Sequence, residues 1–586
     1  MRNITSCKKK INIYLLLIIL IIFGIFQYGI GKICGFTMVP DEFGYWASAA
    51  EKIGYDWSEV TSLGSYYSFG YSYILLPILY LFDDGVMAYR VAVAVNMLLM
   101  CSGIFLILGI IKRLFPEIER KMQVFIGGIA VFYPVWIFNM QMTMTEALLM
   151  FLFVLITYLF VCFMQKPNIV TAFFLTASLA YSYCVHMRTA GVLIACGITL
   201  VLWAVSEHPK TKIVLVFIGA ILLFAILAGV LKQNTIAQVF SSADSQVLAG
   251  NDYAGQKGKL TQIISPYGMR LFVKEVIGKI LYLGLASFGI FYWGIGWTIK
   301  KSGLLLFHLF KKRKIEVIEW VFLFLSLAMA GEILICSIYM HPVGTIDALI
   351  YGRYDEFLVP VFLIIGIIAM LKSGWLFRGT LLLGMGTGLM LPMLLSVIEA
   401  RELSGLRGYM VAGISYLLKE DNLDIYSFFQ DTWILGFFVM LLVAFFVWLS
   451  EKKENLVWML TGIIVLEITA GLQISNHYTY RVNSSNFMDL TISEEIIDKE
   501  EAGDKIVYLD EGAHQYIDFL QMQLGKRAIE VISEGDIDEI KMKISDVFVI
   551  THIDTKYKNQ LDNMFDECIR ANTFYLFYST EGKDAG

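Results

Sequence analysis

The chain has 586 residues, 57% of them apolar or aromatic and only 17% charged, with a mean hydropathy of +0.66 and a formal net charge of −5. A soluble domain carries about a quarter charged residues, so that class is excluded. The basic residues sit in scattered short loops instead of one patch, which argues against nucleic acid as a partner.

Repeated apolar runs near the ~20 residues needed to cross a bilayer predict a polytopic protein of the cell (plasma) membrane. The eight cysteines show no paired spacing, so neither a zinc site nor a disulfide framework is expected. Lys8-Lys9-Lys10 precedes the first apolar run, Ile13 to Ile30. Basic residues before it and acids after it place the amino end inside and the following loop outside. Lys32-Ile33-Cys34-Gly35 lacks a small-x-small cleavage pattern, so the run reads as a retained anchor.

That first outer loop carries adjacent carboxylates, Asp41 and Glu42, then Tyr45 to Lys52, which suits a short helix lying on the membrane surface. Ser65 to Tyr71 is rich in aromatics and glycine, and Pro77 lies where the chain re-enters the apolar zone. Val86 to Ile111 and Val124 to Phe138 read as spans, and a tight outer turn leads to Glu146 at the mouth of another. Ile169 to Tyr183 and Ala190 to Val205 are short for full crossings, with His186 and Arg188 between them. A charged break at membrane depth needs a protein-lined or watery cavity, so a cavity opening from the outer face is expected. Ile213 to Leu231 leads to a polar outer segment that contains Ser241 to Ser245. Ile280 to Ile299 should return inside, to Lys300-Lys301 and Lys311 to Lys314. His341-Pro342 and Tyr351-Gly352-Arg353-Tyr354 follow on the outer side, before a span from Phe357 to Leu371. About thirteen crossings result.

From residue 473 the composition becomes soluble, which divides the chain into a membrane domain, 1–472, and an extracytoplasmic domain, 473–586. Lys505–Leu509, Ala528–Ile532, Asp546–Ile550 and Phe574–Tyr578 read as strands, and Gln515–Leu524 and Tyr557–Ile569 as helices. This alternation predicts a small α/β domain with a largely parallel sheet. The fold class expected is therefore a mainly α transmembrane bundle with a small C-terminal α/β domain.

Asp41-Glu42 with Tyr45, Gly70-Tyr71 with Pro77, Glu146 at the second outer turn, and Arg353-Tyr354 near Pro360 together resemble the GT-C superfamily of integral-membrane glycosyltransferases. That group includes protein O-mannosyltransferases and lipid A aminoarabinose transferases. The likeness is one of layout from about Ile13 to Leu371, carried by the order and sidedness of short motifs. It implies transfer of a sugar from a polyprenyl-phosphate carrier to an extracytoplasmic acceptor. Asp41 matches the family's catalytic acid, so it is assigned as the base. Glu42, the second residue of the catalytic pair, would orient the acceptor, or hold a divalent cation jointly with Glu146, since hard cations take carboxylate oxygens. An arginine fork suits the donor phosphate; Arg353 is the first choice, with Tyr354 beside it and Arg188 and His341 as further candidates.

Each residue also has a plainer reading. Glu146 could cap its helix, Arg353 could snorkel at the interface, and Tyr354 could belong to an aromatic belt. Arg188 could serve only to join the buried turn to its neighbours. Two further functions fit a membrane bundle: a secondary transporter and a ligase moving a whole lipid-linked glycan. No internal repeat supports the former, and a non-catalytic scaffold would leave Asp41 and Glu42 without a role. The sidedness has a direct test. A reporter active only outside the cytoplasm should work when fused after Leu63 or at the carboxyl end and fail when fused after Lys312; activity at Lys312 would reverse the topology.

Overall fold

The structure, a computed structural model, describes residues 2–38, 40–64, 67–240, 253–419, 424–449, 453–512, 517–533 and 546–579. The expected polar stretch at Ser241 to Ser245 and the first two residues of the helix expected from Gln515 lie outside them. The chain is a bundle of long apolar helices followed by a five-stranded sheet. Among the described residues, nine helices are long and apolar enough to cross a membrane, or eleven if two bent pairs each count as one span. The expected thirteen counts shorter segments such as Ile169–Val185 that do not qualify by length. Ile13, Leu16 and Leu20 on the first helix and Leu215, Leu222 and Ile226 on Thr211–Val239 are exposed. Apolar exposure on that scale is stable against lipid, not water.

The helices break where the sequence removes hydrogen bonds or admits unusual backbone. Pro134 lacks an N–H and divides Arg120–Val131 from Pro134–Met140 with a 61° bend. The straight crossing expected from Ile280 to Ile299 is not formed. Pro266–Leu285 and Ile290–Phe310 meet at 119°, through Phe288 and Gly289 with φ of 50° and 79°. Left-handed backbone suits glycine, and a Cβ on Gly289 would lie 2.1 Å from Met440 Sδ. The second helix then runs on through Lys300-Lys301, which the charge pattern had placed in a loop.

The first outer loop forms the helix Asp41–Lys52, but residues 42–50 are buried. Phe43 stacks on Trp57 at 5.4 Å and Trp46 on Tyr89 at 6.5 Å. The helix therefore lies within the fold instead of on a membrane surface. Ile169–Val185 ends at His186, whose extended backbone (φ −158°, ψ 126°) precedes the 3₁₀ turn Met187–Thr189 and the helix Ala190–Glu207. Gly70 seats against this break. Its N–H donates to Cys184 O at 2.8 Å, and its carbonyl accepts from Tyr181 Oη at 3.0 Å.

The composition change at residue 473 falls inside continuous helix: Lys453–Ile474 passes through a π turn, Ser475–Tyr480, into Arg481–Lys499. The sheet that follows comprises β1 (Lys505–Asp510), β2 (Ile529–Ser533), β3 (Val547–His552), β4 (Glu567–Arg570) and β5 (Phe574–Tyr578), in the order β2-β1-β3-β5-β4. β1 pairs parallel with β2 and β3, whereas β5 is antiparallel to β3 and β4. The helix expected over Tyr557–Ile569 stops at Asp562, and its last residues form β4 instead. Pairing with the buried β5 overrides local helical preference there, giving a polar edge strand (Cys568 opposite Phe577).

This C-terminal part grips the chain that leads to Asp41. Asn483 Oδ1 accepts from the N–H groups of Cys34 and Gly35 at 2.8 and 2.9 Å, and Asn486 Nδ2 donates to Phe36 O at 2.9 Å. Gln523 Nε2 donates to Cys34 O at 3.2 Å, and Trp57 Nε1 to Gly525 O at 2.7 Å. Residues 34–37, with Thr37 Oγ1 accepting from Asn483 Nδ2 at 3.3 Å, are thus pinned from the far end of the sequence.

The seat of Gly70 is strict, because a Cβ there would lie 2.4 Å from Val185 N and 2.5 Å from Cys184 C. Gly70→Ala should destabilise by about 1–3 kcal/mol through overpacking. Gly24→Ala, with nothing within 4 Å of its Cβ, should not destabilise. Thermal melting of the purified variants checks both, and equal melting temperatures would mean the Gly70 contact is not maintained.

Candidate functional site

Asp41 is the first residue of its helix, where the positive end of the backbone dipole favours a carboxylate. Neighbouring residues on a helix do not face the same way, and the two adjacent acids have separate fates. Asp41 remains 28% exposed and lines a cavity of about 160 Å³. Glu42 turns inward and is fully buried. Its carboxylate accepts five hydrogen bonds, from Thr37 N, Met38 N, Tyr89 Oη, Thr143 N and Thr143 Oγ1, at 2.6–2.8 Å. Burial still raises its pKa, against the opposing pull of those bonds. Glu42 stitches three segments together and does not reach the cavity.

Glu146 lies in the first turn of Thr145–Gln165, 2% exposed, and makes no capping bond; Met144 occupies the cap position. Its Oε1 accepts from Arg353 Nε at 2.9 Å and from Arg188 Nη2 at 3.1 Å. Arg353 Nη2 in turn donates to Asp41 Oδ2 at 2.5 Å. Asp41, Arg353, Glu146 and Arg188 therefore form one chain of ion pairs drawn from four distant parts of the sequence.

Arg353 is buried, not snorkelling, in a loop whose Gly352 and Arg353 N–H groups both donate to Met410 O at 3.2 Å. The room left by Gly352 is filled by the ring of Tyr282, 1.8 Å from where a Cβ would stand, so no ligand approaches there. Burial opposes the Arg353 charge, but Glu146 and Asp41 outweigh it and hold its pKa well above the usual range. Arg188 is 2% exposed; its guanidinium lies 4.7 Å from the Tyr354 ring centre. Its Nε and Nη1 have no hydrogen-bond partner among the described residues. His186 accepts from Arg188 N at 3.3 Å and lines the same cavity. Burial lifts nearby Asp355 to about 7.

The cavity thus brings together Asp41, Arg188, Arg353 and Tyr354, with Glu146 directly behind. It does not include His341, which pairs with Glu275 at 2.9 Å beside a different hollow. Tyr45, Tyr67, Ser68, Met187 and Tyr339 also line it. The aromatic and glycine-rich run around Tyr67 was the sequence signal for that wall; Tyr339, at the end of an apolar span, left none. The residues do not fit a divalent cation bound jointly by Glu42 and Glu146. One carboxylate is saturated by five donors and the other is held by two guanidiniums. Among the described residues, no group of three or more His, Cys, Asp or Glu side chains is placed to hold a metal.

No family model matches this chain, and no curated protein does. Among solved structures it is similar to ArnT from Cupriavidus metallidurans bound to undecaprenyl phosphate, with a TM-score of 0.51 and 14% identity, over 96% of this chain and 97% of that one. The chain has the GT-C fold. The match extends over the membrane bundle and the C-terminal sheet alike. The oligosaccharyltransferase of Archaeoglobus fulgidus in its apo form aligns with a TM-score of 0.46 and 11% identity, over 93% of this chain and 69% of that one.

The ion-pair chain makes a clear energetic prediction. Removing one member of a buried pair leaves an uncompensated charge and costs about 3–5 kcal/mol. Glu146→Ala strands Arg188, leaves Arg353 only Asp41, and should lower the melting temperature sharply. Combining it with Arg188→Met should recover part of the loss, because one stranded charge is removed. An additive double variant would mean that Glu146 and Arg188 are not coupled.

Proposed function

We propose that this protein is a glycosyltransferase that moves a sugar from a polyprenyl-phosphate donor to an extracytoplasmic acceptor, with inversion. The observation that carries the reading is the shared cavity: an accessible carboxylate, Asp41, lines it together with Arg188, whose buried Nε and Nη1 have no hydrogen-bond partner among the described residues. Transfer needs a base for the acceptor hydroxyl and stabilisation of the departing phosphate. The acceptor oxygen attacks the sugar's anomeric carbon while the bond to the phosphate breaks, its electron pair leaving with the phosphate. Asp41 takes the hydroxyl proton. Arg188 donates to the phosphate. A single displacement of this kind inverts the anomeric centre.

Arg353, the first sequence candidate for the phosphate, already gives Nε and Nη2 to Glu146 and Asp41. Its role in this reading is to orient Asp41 and to hold it at a set distance from Arg188. Tyr354 supports Arg188 from below with its ring face.

An apolar groove of about 460 Å³ between the helices Ile169–Val185, Ala190–Glu207 and Thr211–Val239 supports a lipid-linked donor. Lys232 lines the groove and lies 3.8 Å from Met187 Sδ, and Met187 lines the charged cavity. An isoprenoid tail in the groove would deliver its phosphate beside Arg188. The similar ArnT structure holds undecaprenyl phosphate, which agrees with this class of donor. The basic loops and the acidic first outer loop support a cytoplasmic amino end and an extracytoplasmic C-terminal domain, residues 473–586.

The test uses a radiolabelled polyprenyl-phosphate sugar and membranes containing the protein. Asp41→Asn should bind the donor but lose transfer by ~10²–10⁴-fold. Arg188→Ala should weaken binding of the polyprenyl phosphate by ~10–150-fold, the worth of a charge-assisted hydrogen bond. Normal turnover by Asp41→Asn would remove Asp41 as the base. Unchanged lipid binding by Arg188→Ala would place the phosphate elsewhere.

A further inference from the structure

A second cavity, of about 530 Å³, lies between the C-terminal sheet and the chain that leads to Asp41. Pockets of roughly 300–1,000 Å³ with a few converging polar groups on an apolar lining are the usual form of small-molecule sites. Here the polar groups are Asp489, His552, Asn486 and Asn572, and the aromatic ones include Phe519 and Phe574. We propose that this cavity binds an uncharged sugar unit of the acceptor, making it a glycan subsite separate from the Asp41 cavity.

Three observations point there. The first is position in the sheet. The cavity opens at the carboxyl end of β3, beside the first residue of its antiparallel neighbour β5. His552 is the last residue of β3 and Ile553 follows it into the lining, while Phe519 comes from the helix after β1.

The second is chemistry. Amides, a carboxylate and an imidazole supply directed donors and acceptors for hydroxyl groups, and ring faces suit the apolar C–H face of a pyranose. No lysine or arginine is among the described lining residues, so the cavity is not built for a phosphate or a carboxylate. An extended peptide would need a free sheet edge to pair with. β3 and β5, which supply or adjoin the lining, are both interior strands.

The third is connection. Phe36 and Thr37 form part of the wall, and Asn486, also in the wall, donates to Phe36 O at 2.9 Å. Thr37 N donates to Glu42, the residue beside Asp41. A sugar held here therefore touches the segment that carries the base of the proposed reaction. Calling that sugar the acceptor's rests on the glycosyltransferase reading; its binding does not.

The full-length protein in lipid nanodiscs, free of sugar-based detergent, can be examined by saturation-transfer-difference NMR with methyl glycosides of neutral hexoses and N-acetylhexosamines. At least one should show saturation transfer, and the corresponding hexose 6-phosphate should not. Ser485→Trp, on the cavity-lining helix, and Asn572→Trp, on an exposed turn, fill the space and should each reduce the signal by about tenfold, equivalent to ~1.4 kcal/mol of binding. Asp41→Asn and Arg188→Ala should leave it unchanged even though they alter donor transfer or donor binding. The proposal is overturned if no glycoside binds, if the signal survives Asn572→Trp, or if it disappears in Asp41→Asn or Arg188→Ala, which would locate the sugar in the other cavity.

Discussion

Two carboxylates and two guanidiniums in series, Asp41–Arg353–Glu146–Arg188, are the constraint around which the outer half of the bundle is arranged. Glu146 and both arginines are nearly dry, and isolated charges in that setting would cost several kcal/mol apiece. The formal charges of the four sum to zero, and Glu146 Oε1 accepts from both arginines, so the cost is met only when all four segments are in place. A first outer helix, a helix start, a broken span and a late loop are thereby brought to one point. Only Asp41 keeps substantial access to the cavity.

The stitch beside this chain is as consequential as the chain itself. Glu42 bonds the loop before Asp41, Tyr89 on the next long helix, and the turn at Thr143. Asn483 and Asn486 hold the same loop from the C-terminal side. The sheet domain is thus mechanically part of the site, because residues 33–38 are fixed between it and the bundle.

Helix irregularity is concentrated where the site requires it. His186 interrupts a span so that Arg188 turns inward, and Gly70 packs directly on that break. Farther off, the turn at Phe288 and Gly289 bends the chain by 119° and packs it against Met440. Regular helices satisfy their own backbone, so a bundle of them alone offers no polar hollow; the breaks supply one.

Much of this was legible from local pattern. Apolar run length and loop charge imply a membrane bundle, because the bilayer imposes both on any sequence. The break between the two runs flanking His186 and Arg188 is found, although the second of them, expected to be short, is long enough to cross a membrane by itself as Met187–Glu207, and alternating strand and helix patterns locate the C-terminal domain. The motifs around Asp41, Glu146 and Arg353 single out residues that the fold does unite. What local pattern does not carry is pairing over long sequence distance. Asp41 and Glu42 are indistinguishable as neighbours in a sequence; packing alone turned one to the cavity and the other to Tyr89 and Thr143. His341 appeared to belong with Arg353, but Glu275 claimed it. Glu567–Ile569, the end of the expected helix, form most of β4 because β5 offers a partner. For Asp41, Glu42 and His341 the deciding energy is a contact between segments from 47 to 312 residues apart, available only once the chain has folded, whereas β4 and β5 pair across a short turn.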